Sequence, residues 1–148
     1  QEIPNAIFLN LSFVDGSSLK QALGEVDNVI VMQVVPSLES NLPIVQEYLS
    51  GLQQVNINLE PNSVSLEGII VVKIFHQGLL SVKGDISKES IIDGLESLHD
   101  TDISLGVDIH FDKTTHQAIH IVWMTHFEKG KISRFSWPML DDYELLNE

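Results

Sequence analysis

NSVSLEGIIVVKIFHQGLL, from Asn62 to Leu80, is the stretch on which the reading of this chain turns. Its apolar residues Leu66, Ile69, Ile70 and Ile74 recur at helical spacing, whereas Ile69–Val72 taken alone would suit a strand. Length and the polar pair Asn62-Ser63, a good amino-terminal cap, favour a helix. One acid, Glu67, sits beside Gly68 near the start. An unpaired charge in an apolar interior is costly, so the expectation is that this carboxylate pairs within the fold or faces a cavity.

Upstream, Leu42, Val45, Tyr48, Leu49 and Leu52 repeat the i, i+3, i+4, i+7 pattern of an amphipathic helix, with Pro43 tolerated in its first turn. Before it, Val29–Val35 is a β-branched run without alternation, the pattern of a strand covered on both faces, and Pro36 ends it. Ala6–Leu11 reads as a further buried strand. A turn at Asp15-Gly16 then opens a short helix with Leu19, Ala22 and Leu23 on one face and Gly24 as its stop. Downstream, Gly84-Asp85 breaks the chain before Ser87, a cap whose neighbours Ile86 and Ile91 stand at hydrophobic-staple spacing. The helix it starts would turn Ile91, Ile92, Leu95 and Leu98 inward. Gly106–Asp112 alternates like a strand with one wet face, and Ala118–His126 and Ile132–Trp137 flank a tight polar turn, forming a hairpin. The alternation of strand and helix predicts an α/β fold: parallel strands with covering helices, plus a carboxyl-terminal β-hairpin.

The 148 residues suffice for one domain with a real core. A net charge of −13 argues against nucleic acid, heparin or an anionic membrane as partner. With no cysteine there is no disulfide framework or thiolate chemistry, and the redox compartment stays open. Lys73, His76 and Gln77 interrupt the longest apolar run, which falls short of the roughly 20 residues of a membrane helix. The chain begins at Gln1 with neither an initiator Met nor a signal-peptide pattern, and so reads as processed or truncated.

No nucleophile elbow, Gly-rich phosphate loop or paired-carboxylate pattern stands out. Asp108, His110 and Asp112 share one strand face, with His116, His120 and His126 following, so a carboxylate–imidazole metal site is geometrically open. The spacing is that of no named metal motif. A solvated strand face accounts for it as well, and no metal or cofactor is assigned.

Five stretches in order carry a resemblance: IFLNLSFVDGSSLKQALG, VIVMQVVPSLESNLPIVQEYLSGLQQ, SVSLEGIIVVKIFHQGLL, ISKESIIDGLESL and GVDIHFDKTTHQAIHIVWMTHFEKGKI. Together they resemble the carboxyl-terminal half of bacterial periplasmic substrate-binding proteins of the branched-chain amino acid (Leu/Ile/Val) transporter type. The resemblance implies part of a two-lobed type I periplasmic-binding fold, non-enzymatic, that closes by a hinge on a small amino-acid-like ligand. On this basis 1–36 end one lobe at a hinge crossing, 37–104 supply helices of the other lobe, and 105–148 are return strands and tail. The resemblance places Ser12 and Phe13, at a strand end, and Glu67 at the ligand cleft. It implies a periplasmic or extracellular location, no cofactor, and a transporter permease or a receptor signalling domain as partner. The remaining family site lies in an amino-terminal half, so the chain is expected to self-associate or to pair with that half. The alternative from another class is a metal-dependent hydrolase using the Asp108/His110 face.

Overall fold

The computed structural model describes residues 6–11, 16–24, 27–55, 58–128 and 131–139. In chain order the elements are β1 (Phe8–Leu11), α1 (Gly16–Leu23), β2 (Val29–Gln33), α2 (Pro43–Gln54), α3 (Ser63–Leu80), α4 (Lys88–Glu96), β3 (Trp123–Glu128) and β4 (Lys131–Arg134). They fall into two compact units: Gln1–Ser37 with Val122–Glu148, and Leu38–Ile121.

The first unit is a sheet in the order β1-β2-β3-β4. β1 and β2 are parallel, with Phe8 opposite Val29, and α1 supplies the crossover that parallel neighbours need. β3 runs antiparallel to β2 with Thr125 opposite Val31, and β4 completes the hairpin with Ile132 opposite Phe127. On one face Val29, Val31 and Phe127 form a buried cluster against which Leu19 of α1 and Ile132 pack. Ile30 and its register partner His126, also buried, belong to the other face, where the His126 ring meets Phe135 edge-on at 6.2 Å. The unalternating run of β2 is thus explained by apolar contact on both sides. Gly24 leaves α1 at φ 76°, a left-handed stop that a side chain would strain.

Three expectations for this unit are corrected. The 6–11 run is not buried: β1 is an edge strand, and Leu9 and Leu11 are 65% and 55% exposed. An apolar run reports that a surface favours cover, not that cover is present. β2 ends at Gln33, with Val34 exposed beyond it, and β3 starts at Trp123 instead of Ala118.

In the second unit α2 opens with Pro43 in its first turn, where a missing N–H costs nothing. Its Tyr48 hydroxyl accepts the Asn62 N–H at 3.1 Å and meets the Ser65 hydroxyl, so α2 holds the start of α3. Asn62 caps α3, its Oδ1 accepting the Ser65 N–H at 2.9 Å, an arrangement worth about 1 kcal/mol. The helical reading of the central stretch is therefore right. Leu66 and Ile70 are buried and Lys73 pairs with Glu47 of α2, whereas Ile69 faces outward. By length and composition alone α3 could cross a membrane, and only 17% of it is buried, on the side where Lys73 pairs with Glu47 of α2.

Ser87 caps α4 in a reciprocal box with Ser90. Ile86 is 74% exposed and Ile92 also lies outside, so the staple and part of the expected inward face are absent. α3 and α4 meet through glycine. A Cβ on Gly94 would lie 2.3 Å from the Gly78 carbonyl oxygen, and one on Gly78 2.5 Å from Leu95 Cδ2. After α4 the chain buries Leu98, Ile103, Leu105 and Ile109 without forming a strand. The alternation at 106–112 does match burial, since Ile109 is fully covered while Asp108 and His110 are exposed. The backbone groups, however, go to separate partners: Ile109 bridges Thr101, His110 N–H donates to Ala118 and Phe111 N–H to Leu98.

Candidate functional site

Glu67 projects from the second turn of α3 and is exposed, so the predicted conflict between an acid and an apolar interior does not arise. The helix dipole favours anions mainly within the first turn, and no acid occupies the first turn of α3. Beside Glu67, a Cβ built on Gly68 would meet nothing within 4 Å, leaving that stretch of helix open to approach. An exposed carboxylate here can accept hydrogen bonds from, and attract, a cationic group such as an ammonium. Ser12 and Phe13, the other two predicted site residues, lie outside the described residues.

The histidines do not assemble as the strand-face reading allowed. His126 is buried in the sheet of the first unit, while His116 pairs with Glu96 at 2.9 Å and stacks on Phe111. Among the described residues no three His, Asp or Glu side chains converge as a metal centre. What does converge is His110 with Asp112, Nε2 to Oδ2 at 3.1 Å, and with His99, Nδ1 to Nδ1 at 3.4 Å. The Thr114 hydroxyl, with the Thr114 and Thr115 N–H groups, holds the Asp112 carboxyl well below the usual carboxylate range. The part of His99 was missed because eleven residues separate it from His110, and a local backbone bridge, not a periodicity, brings the two together.

With this geometry in place, the solved structures are informative. A protein of Rhodopirellula baltica SH 1, described as a possible leucine/isoleucine/valine-binding protein, superimposes with TM-score 0.83 and 36% identity, over 90% of this chain and 37% of that one. This chain carries one portion of a periplasmic-binding fold. A substrate-binding periplasmic protein from Ralstonia solanacearum has the same fold at TM-score 0.77 and 18% identity, over 88% of this chain and 38% of its own. No protein-family model and no curated protein matches. The mixed sheet and its helices are what such a portion contains, in agreement with the α/β fold and the resemblance read from the sequence.

Proposed function

We propose that the chain is part of a non-enzymatic, extracytoplasmic solute-binding protein for amino acids or similar small polar ligands, serving an uptake transporter of the ABC type. The observation that carries this reading is 36% identity across 90% of the chain to a protein described as a possible leucine/isoleucine/valine-binding protein. In this reading Ser12 and Phe13 contribute to the ligand site, and Glu67 receives the ligand's ammonium group. Charge-assisted hydrogen bonds of that kind contribute about 1.5–3 kcal/mol. Calorimetry on the chain extended to the length of its structural relatives, with leucine, isoleucine and valine as ligands, is therefore expected to show binding that Glu67→Gln weakens roughly 10- to 100-fold. Heat absent for all small amino and organic acids would defeat the solute-binding reading; full affinity in Glu67→Gln would remove Glu67 from the site.

The reading also supplies a cover for α3. Val64, Val71, Val72 and Phe75 line a face away from Leu66 and Ile70 and are 64%, 57%, 61% and 45% exposed. A helix apolar all round is ordinarily buried, and we assign the missing cover to the remainder of the longer protein. The 148-residue chain by itself is expected to self-associate through this face. Its net charge of −13 opposes that, but charges are screened beyond about 8 Å at physiological salt while apolar contact is not. Light scattering coupled to size exclusion should show a mass that rises with concentration and falls in a Val71→Ser, Phe75→Ser double variant. A strictly monomeric parent chain would contradict it.

A further inference from the structure

We propose that His99 and His110 form a binding site for one tetrahedral divalent transition ion of the zinc class, with Asp112 as the residue that positions His110. The backbone sets up the pair. Thr101 and Ile109 exchange hydrogen bonds of 3.1 and 3.0 Å, and the Phe111 N–H donates to the Leu98 carbonyl at 2.8 Å, so the segments carrying the two histidines are pinned side by side. The imidazoles lie with centroids 4.6 Å apart and both are exposed.

The hydrogen bonds around Asp112 decide the tautomer of His110. Asp112 Oδ1 accepts from the Thr114 N–H at 2.6 Å, the Thr114 hydroxyl at 2.7 Å and the Thr115 N–H at 2.8 Å, leaving Oδ2 to face His110 Nε2. A carboxylate oxygen only accepts, so Nε2 donates, and a neutral His110 presents the lone pair of Nδ1. Nδ1 of His99 lies 3.4 Å from it, at the long limit for a hydrogen bond between ring nitrogens. The separation instead suits two ligands of one ion: with zinc–nitrogen bonds of about 2.0–2.1 Å it corresponds to an N–metal–N angle of about 110°, the tetrahedral value. A right angle at the same bond length, as in square-planar copper or nickel sites, would need roughly 2.9 Å. A carboxylate bonded to the far nitrogen of a ligating histidine is the outer-shell arrangement that orients such ligands. No group of three or more His, Asp or Glu side chains converges there among the described residues, and we assign the remaining ligand positions to solvent water. Nothing here depends on the solute-binding reading.

Titration of the 148-residue chain with zinc chloride in a non-chelating buffer, followed by calorimetry and by the imidazole ¹⁵N resonances, tests the site. One equivalent is expected to bind, shifting Nδ1 of both His99 and His110. His99→Ala and His110→Ala should each weaken binding at least tenfold, Asp112→Asn about tenfold, and His76→Ala, on α3, not at all. Should a variant lose its fold, the resonance shifts of the parent chain still decide. Zinc affinity unchanged in both His99→Ala and His110→Ala, or saturation without movement of those two Nδ1 signals, overturns the proposal.

Discussion

Gly94→Ala is expected to lower the melting temperature of the chain by roughly 4–8 °C, the net of about 3 kcal/mol of overpacking against about 1 kcal/mol of helix propensity, although alanine is the better helix former. The two effects oppose each other, and their sizes decide. Replacing a helix-interior glycine by alanine gains about 1 kcal/mol from backbone entropy. Here the new methyl would stand 2.3 Å from the Gly78 carbonyl oxygen and 3.2 Å from Val82 Cγ2. The first is a backbone atom of α3, so relief requires moving one helix off the other. Such overpacking costs typically 1–3 kcal/mol and more when backbone must shift, and for a chain of this size each kilocalorie is worth about 2–4 °C. Gly51→Ala in α2, where a Cβ meets nothing within 4 Å, is the control and should stabilise slightly. Circular dichroism melts and amide exchange in α3 and α4 provide the readout. A Gly94→Ala chain as stable as the parent would refute the close helix contact.

Phe127→Ala should cost about 3–5 kcal/mol, the range for truncating a buried aromatic. Phe127 is 1% exposed and joins Val29 and Val31, with Leu19 and Ile132 closing over them, so its removal opens a cavity in a cluster shared by α1, β2, β3 and β4. The loss should be read first as faster amide exchange in β2 and β3. Phe8→Ala, at a 57% exposed position on the edge strand, provides the comparison and should change stability by less than about 1 kcal/mol. Equal costs at the two positions would mean that the burial described for Phe127 is not the native one.

Much of the second unit was legible because its signals are local. Asn62 and Ser87 are caps whose side chains reach backbone groups three residues on, and the α3 spacing spans a full helix. The β1 burial was misread because exposure depends on which neighbours exist, a property of the assembled sheet. The 106–112 segment was misread for a related reason. Alternating burial requires only alternating side chains, whereas a strand also requires one partner to take the backbone bonds in succession, and here they go to Thr101, Ala118 and Leu98. For the site, the sequence could flag Glu67 as an isolated acid but not on which side of α3 it would emerge.

By itself the sequence determined the helices, the β-branched central strand, the acidic surface charge and the resemblance to periplasmic binding proteins, because each rests on residues close in the chain or on an ordered series of motifs. Only the tertiary structure decided that Glu67 is exposed, that α3 and α4 touch through Gly78 and Gly94, and that His99 faces His110 beside Asp112. Those are contacts between segments brought together by burial elsewhere, and burial is a collective outcome that no single stretch encodes.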